Sequence, residues 1–460
     1  RSAGEPAVIL WSVMTSGNSA VLPLRRDDSP SEPRFPQGAA PSPSSLGSLF
    51  DRSDLGYALL CAIAVAASSL GLWLLWHGNQ PLDDTYFGGD PERVWANLQS
   101  TQTDFHRTPF HPLFASFCAV VAALLNHTSL SSYAILTAGE LLYGFLLGGL
   151  TYAAARLWGA SKGWAVGAVA LVCASGAFMS WGAILESHPW GGISCLLCLV
   201  GGRLLPPPGP RRIFSSAILF VVAASMVFTN IMIWAFVTCI TRPDDRFSIR
   251  GIWTIIRRNI VPFALSLILG VMLLYLASLA QRAYFHPNTT LGEFLKFDHD
   301  NKYILKGGLK DKFQGFFAYG LFAPSETRRL YLAELAGIWA ALAFVIWGLR
   351  KAAAHVWILL FYLAGILCFH SIYDRAEAFI AAANYIVTFA LLLALAGQRL
   401  LDRNFLRYGA GALVIALGLF NLADQIRLVH ATPPAELFSV RVRGPTPNEP
   451  NTPRPPSQLF

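Results

Sequence analysis

Apolar stretches recur along the chain, most of them near the length of a membrane-crossing helix, each closed by a short polar or basic connection. They are Leu55–Trp76, Ile135–Leu157, Trp164–Leu185, Trp190–Leu205, Ile213–Phe228, Ile231–Ile240, Ile260–Ala280, Leu332–Leu349, Val356–His370, Phe379–Ala396 and Gly409–Ala423. About 20 apolar residues cross a bilayer as a helix. The pattern therefore predicts an all-α polytopic membrane protein with eleven transmembrane helices. The run His111–Leu125 is shorter and bounded by polar sequence, which predicts an interfacial or re-entrant helix. Residues 1–54 and 428–460 are Pro-rich and polar without lasting periodicity and are expected to be disordered arms flanking a membrane domain over 55–427. Met14 offers a start site, so residues 1–13 are read as upstream sequence and the first span as a signal anchor.

Composition agrees with a membrane class and excludes a set of soluble domains. Hydrophobic residues make up 54% of the chain and charged ones 13%, about half the charged share of a soluble domain. The net charge of +8 does not read as a nucleic-acid surface, because most Arg sits in short loops and no basic stripe alternates with stacking aromatics. Placing the N-terminus inside puts Arg156, Lys162, Arg203, Arg211, Arg212, Arg350, Lys351, Arg399, Arg403 and Arg407 on the inner side, as the positive-inside rule requires. The C-terminus then lies outside. All seven cysteines fall in apolar stretches. Cys195 and Cys198 have metal-like spacing but lie within a span and are read as packing.

Candidate chemistry collects in two long outer loops, 77–134 and 281–331. The first carries Asp83, Asp84, Asp90 and Asp104. Asp90 before Pro91 marks a helix start, with Asp as N-cap and Pro at the first helical position. A carboxylate held near lipid can serve as a general base, so Asp90, Asp83 and Asp84 are each either caps and solvated groups or the base. His106 and His111 are candidate acid/base groups or metal ligands, and Arg107 suits a two-pronged phosphate contact. At other outer span ends stand Glu186 with His188, and Tyr373 with Asp374, Arg375 and Glu377. Five of the seven lysines, Lys302 and Lys306 among them, sit in the second loop. They read either as a phosphate cradle or as a solvated surface balanced by nearby aspartates. Glu140 and Glu334 are carboxylates inside spans, expected to pair with a neighbour.

The acidic first loop, the surface helix after Asp90, the segment His111-Pro112-Leu113-Phe114 and the polar break in 124–135 together resemble the GT-C class of integral-membrane glycosyltransferases. The similar members are the protein O-mannosyltransferases and the aminoarabinose transferases. The resemblance covers the order of elements over about 55–425 and specific residues only in 81–135. It implies a polyprenyl-phosphate sugar as donor and a first-loop Asp, here Asp90, Asp83 or Asp84, as the base or the group that orients the acceptor. Arg107, Arg375, Lys302 and Lys306 would then face the donor phosphate, and Asp104, His106, His111, Glu186, His188, Tyr373 and Glu377 the substrates. The chain departs from that class by splitting the acidic motif between two places, and it is expected to lack the large soluble C-terminal domain that some members carry.

A cofactor is not required, since the leaving phosphate is already singly esterified to lipid; a divalent metal is compatible with the histidines but not obligatory. Partners implied are the lipid-linked donor, a glycan, lipid or protein acceptor, and the bilayer. The high Arg-to-Lys ratio suggests a bacterial inner membrane with the active face periplasmic, whereas the sequons at Asn126 and Asn288 keep an endoplasmic-reticulum location open. Two rival readings stand beside this one. A transporter or flippase of lipid-linked saccharide would place polar groups mid-span. An O-antigen polymerase or ligase would use a pyrophosphate-linked donor at an Arg/His outer loop.

Overall fold

A computed structural model describes residues 51–76, 111–128, 131–182, 188–239, 249–285, 290–294, 321–322, 331–350, 352, 354–370 and 382–431. Among these the secondary structure is helical throughout. The helices are α1 Arg52–Trp76, α2 Phe114–His127, α3 Ser132–Leu157, α4 Lys162–Ala174, α5 Gly176–Trp181, α6 His188–Arg203 and α7 Pro210–Met226. After a 3-10 turn at Phe228–Asn230 come α8 Ile231–Cys239, α9 Ile249–Phe285, a single helical turn Leu291–Phe294, α10 Tyr331–Leu349, α11 Ala354–His370, α12 Ala382–Leu400 and α13 Asn404–Ala431.

Each predicted apolar stretch carries helix, but the stretches are not equivalent. Five helices are long and apolar enough to cross a membrane by length and composition: Arg52–Trp76, Tyr133–Leu157, Asn259–Ala283, Ala382–Leu400 and Asn404–Ala431. By the same measure the apolar helices Lys162–Ala174, Phe228–Thr238, Ala336–Leu349 and Val356–Ile366 are shorter. The stretch Trp164–Leu185 is broken at Ser175, whose extended backbone ends α4 and whose Oγ accepts from Phe178 N at 3.2 Å to start α5. A break in an apolar region must have its freed backbone groups satisfied, and Asn421 Nδ2 donates to Ala174 O at 2.7 Å. In the opposite direction, the stretch expected over Ile260–Ala280 is the middle of a 37-residue helix. At 1.5 Å per residue that helix is about 55 Å long, well beyond the thickness of a bilayer core. Residues 111–125, expected as one short helix, begin helical only at Phe114 and continue to His127. Helix α1 begins at Arg52 and α13 runs through residues 428–431.

The helices run between two ends of the bundle, some of them side by side in the same direction, as α6 and α12 do. One is the loop end, where residues 77–110 leave and return. There Trp76 Nε1 donates to Gln425 Oε1 at 3.2 Å and Ser69 Oγ to Gly182 O at 3.3 Å. The other is the Asp54 end, where Trp158 Nε1 meets Leu199 O at 3.1 Å and Arg212 Nη2 meets Thr238 O at 3.2 Å. Arg156, Lys162, Arg203, Arg212 and Arg399 share the Asp54 end, so the loop asymmetry of the sequence becomes one basic end of the bundle.

Helix α12 is the centre: 78% of its apolar window is buried, against 11% for the window of α9, which forms a flank. It packs on α4, α6, α10 and α11. The closest helix pair is α1 and α3. A Cβ on Gly148 would lie 2.5 Å from Cys61 O, and one on Gly144 2.8 Å from Ala66 Cα, so both positions need the small residue that lets apolar helices approach in lipid. The main core cluster includes Cys195 and Cys198, each fully buried, with Cys198 Sγ donating to Leu219 O at 3.5 Å.

Candidate active site at the loop end

The described residues that carry candidate chemistry converge where the first loop rejoins the bundle. Helix α7 ends at Met226 because Val227 turns to extended backbone. Its last carbonyls therefore have no intrahelical partner. The incoming segment supplies them: Leu113 N donates to Ser225 O at 2.8 Å, and His111 Nδ1 bonds Met226 O. Pro112 between them has no N–H, and its carbonyl accepts from Gln281 Nε2 on α9 at 2.6 Å. Three consecutive residues are thus fixed to the ends of two helices.

That clamp sets the chemistry of His111. A carbonyl can only accept, so Nδ1 carries the proton. His111 is buried. Its ring meets that of His188, the first residue of α6, edge-on at 5.2 Å between centroids. Aromatic contacts continue into the bundle, with Phe117 4.8 Å from Trp190 and Trp190 6.0 Å from the buried Tyr143.

One turn into the bundle from His188 lies a buried set of uncharged polar side chains. Asn230 Nδ2 donates to Gly191 O at 2.9 Å and to Ser194 Oγ at 3.0 Å. A Cβ on Gly191 would lie 2.4 Å from Asn384 Oδ1 and 3.4 Å from Asn230 Nδ2, so the two amides face each other across that glycine. Asn230 Oδ1, Thr388 Oγ1 and both ends of the Asn384 amide have no hydrogen-bond partner among the described residues, although all three residues are buried. Each such group costs about 1–3 kcal/mol.

A second polar face stands on α13, where Asn421, Asp424 and Gln425 are all buried. Asn421 Nδ2 also donates to Leu321 O at 2.7 Å, tying the second long loop to the α4–α5 break. Gln425 bridges Trp76 and Ser180 Oγ, the latter at 3.0 Å. Asp424 pairs with Arg427 at 3.1 Å through Oδ1, while its Oδ2 has no partner. Glu140 on α3 is buried, and its Oε2 meets no donor.

Of the residues predicted from sequence, the structure brings together His111 and His188. Asp83, Asp84, Asp90, Asp104, His106, Arg107, Glu186, Lys302, Lys306, Tyr373, Arg375 and Glu377 lie outside the described residues. Among the described residues no group of three or more His, Cys, Asp or Glu side chains gathers as metal ligands. The sequence reading missed Asn230, Gln281, Asn384, Asn421, Asp424 and Gln425. The α13 set had a signal: three polar residues at i, i+3 and i+4 in an apolar helix share one face. Asn230 and Asn384 had none, because their partner helices are remote in sequence.

No known protein family matches the sequence, and no curated protein does. Among solved structures, the chain is similar to the archaeal oligosaccharyltransferase AglB from Archaeoglobus fulgidus, solved in complex with an inhibitory peptide and a dolichol-phosphate. The match has 15% identity and a TM-score of 0.43, and covers 83% of this chain and 56% of that one. The chain therefore spans just over half the length of that structure.

Proposed function

We propose that this chain is a membrane glycosyltransferase of GT-C type that moves a sugar from a polyprenyl-phosphate donor to an acceptor at the loop end of the bundle. The observation that carries the reading is the convergence of His111 and His188 at 5.2 Å. Each stands out in the sequence on separate grounds, and they meet at the end of α7, where His111 bonds the Met226 carbonyl. In this reading the basic Asp54 end is cytoplasmic and the loop end faces the periplasm of a bacterial inner membrane.

The chemistry is a single displacement. The acceptor oxygen or nitrogen forms a bond to the anomeric carbon while the bond from that carbon to the phosphate oxygen breaks. The acceptor's proton goes to a carboxylate, Asp90, Asp83 or Asp84, and the electron pair leaves with polyprenyl phosphate. In-line attack inverts the anomeric centre. Arg107, Arg375, Lys302 and Lys306 offset the charge on the departing phosphate. His111, Asp104, His106, Glu186, His188, Tyr373 and Glu377 contribute to substrate binding.

The test follows release of polyprenyl phosphate by the protein in lipid nanodiscs supplied with a panel of polyprenyl-phosphate sugars. Release is expected from wild type and is expected to fall at least about 100-fold in one of Asp83→Asn, Asp84→Asn or Asp90→Asn, given a typical general-base contribution. No release from any donor, with saturable movement of the intact lipid across the bilayer, would replace the transferase by a transporter.

A further inference from the structure

We infer that the buried amide cluster centred on Gly191 is a binding subsite for the neutral hydroxyls of a sugar ring. The inference rests on the transferase reading only for the source of that sugar.

The cluster has hydrogen-bonding capacity that the protein does not use. Asn384 is 1% exposed, yet neither its Nδ2 nor its Oδ1 has a partner. Asn230 and Thr388 are fully buried, and Asn230 Oδ1 and Thr388 Oγ1 are likewise unpartnered. Thr388 lies one helical turn from Asn384 on the same helix and hence on the same face. Buried polar groups are almost always satisfied, and a group of exceptions in one place calls for an explanation. The three side chains come from two elements, the 3-10 turn before α8 and helix α12, and surround the start of α6.

The chemistry of the cluster selects the ligand. A carboxamide offers two donor hydrogens and two acceptor lone pairs, and a hydroxyl offers both roles. Two facing amides and a hydroxyl therefore match a ligand whose groups donate and accept at once, as sugar hydroxyls do. A phosphate only accepts and needs cations, and an ammonium only donates and needs carboxylates; Asn230, Asn384, Thr388 and Ser194 carry neither charge. The location suits a ring delivered from the loop end. Gly191 is three residues from His188 at the start of α6, and Asn384 is two residues from the start of α12. Between those helix starts the backbones approach closely: a Cβ on Gly192 would sit 2.7 Å from Ala383 O.

The experiment uses the full chain in lipid nanodiscs, with Asn384→Leu and Thr388→Val as apolar near-isosteres. Each protein is titrated with undecaprenyl phosphate and with undecaprenyl phosphate carrying glucose, mannose or galactose. Methyl glycosides added as competitors distinguish an acceptor-type free sugar from a donor-linked one. The sugar is expected to tighten binding by wild type about tenfold over the bare lipid. That gain should fall below about twofold in Asn384→Leu, and partway in Thr388→Val, while both variants keep or raise the unfolding midpoint. Displacement by methyl glycosides assigns the subsite to a free sugar, and resistance to them assigns it to the donor's sugar; both support it. A gain retained in folded Asn384→Leu, or no gain in wild type, overturns the subsite and leaves a water-filled packing defect. Polyprenyl-phosphate release measured on the same samples keeps the two ideas apart. Release with the gain retained sinks the subsite alone. A gain that Asn384→Leu abolishes, without release by any protein, sinks the transferase and leaves the sugar site.

Discussion

The two ends of the bundle treat buried polar groups in opposite ways. At the Asp54 end, a carboxylate that begins α1 accepts from Tyr152 Oη at 2.8 Å and from Arg156 Nε at 2.7 Å. Arg156 in turn donates to Ala160 O, which lies where α3 gives way to α4. At the loop end Asn384, Asn230, Thr388, Glu140 and Asp424 all keep at least one unpartnered polar atom. Among the described residues, Thr151 is the exception at the Asp54 end. The difference teaches where stability and function are divided. Satisfied networks rigidify and specify a packing, whereas local disagreement between burial and bonding is expected at functional sites. The Asp54 end holds the helices in register, and the loop end keeps unmet bonds in reserve.

Breaking the satisfied end is the largest effect this comparison predicts. Asp54→Ala leaves Arg156 and Tyr152 without their shared acceptor, and removing one partner of a buried pair costs about 3–5 kcal/mol. The lower part of that range applies, since Arg156 keeps partial access to water. Denaturant titration in mild detergent should show the midpoint fall by a corresponding amount. A midpoint equal to wild type would mean that Asp54 is not the keystone of that end. Gly148→Ala comes next: its Cβ must displace the Cys61 carbonyl region, and overpacking of this kind costs about 1–3 kcal/mol. Gly139→Ala in the same helix meets nothing within 4 Å and should be neutral or stabilising by up to about 1 kcal/mol. The pair of alanines separates helix-packing strain from helix propensity.

Those same residues show what was legible beforehand. Helix positions were, because apolar runs of bilayer length leave few alternatives in a membrane protein. The Ser131 cap of α3, where its side chain accepts from Ala134 N at 3.2 Å, falls in the polar break read from the sequence. The basic end was legible as charge in short loops. Pairing across the bundle was not: Asp54 lies 102 residues from Arg156, and Asp54 itself read as the edge of a disordered arm. The break at Ser175 was hidden inside an apolar run, because what permits it is Asn421 on the last helix. Helix α9 read as a span of ordinary length because Arg257 and Arg258 resemble a loop, yet the helix continues through them. Of the candidate site, the His111-Pro112 junction was visible as an odd cluster of His and Pro. The amide cluster beneath it was not, since an Asn at the start of an apolar run looks like an ordinary helix end.

A smaller effect tests whether the loop end is held as the clamp implies. Gln281→Leu leaves the Pro112 carbonyl without its donor and removes the unpartnered Gln281 Oε1 with it. The two changes oppose each other, so the net loss is about 1 kcal/mol, less than at Gly148. Its functional effect should be larger than its effect on stability. Freed at Pro112, the His111 ring is no longer held in place, and release of polyprenyl phosphate should drop about tenfold or more, given how sensitive rates are to misplacement. Gln281→Glu is predicted to fail in the same way, because a carboxylate cannot donate to that carbonyl. Wild-type release by both variants would show that His111 is positioned by Met226 alone.

The smallest expected effect lies beside the largest, on the surface of the Asp54 end. Asp51 Oδ2 meets Lys162 Nζ at 2.7 Å, and Ser53 Oγ donates to Asp51 Oδ1 at 2.6 Å. The hydrogen bond from Lys162, aided by Ser53 and the Asp54 backbone, holds the Asp51 carboxyl below its ordinary value of 3.8. A carboxyl lowered in the folded state stabilises that state above its unfolded pKa and loses the contribution as pH falls through the folded one. Asp51→Asn should therefore lower the unfolding midpoint slightly at pH 7. That difference should persist unchanged down to about pH 4 and shrink below it. High salt should erase it at every pH, because exposed pairs are screened. Asp54→Ala should keep most of its effect in the same salt, since burial protects its pair from screening. If salt removed both effects equally, the Asp54 end would be held by surface charge, and the contrast with the loop end would reduce to one of solvent exposure.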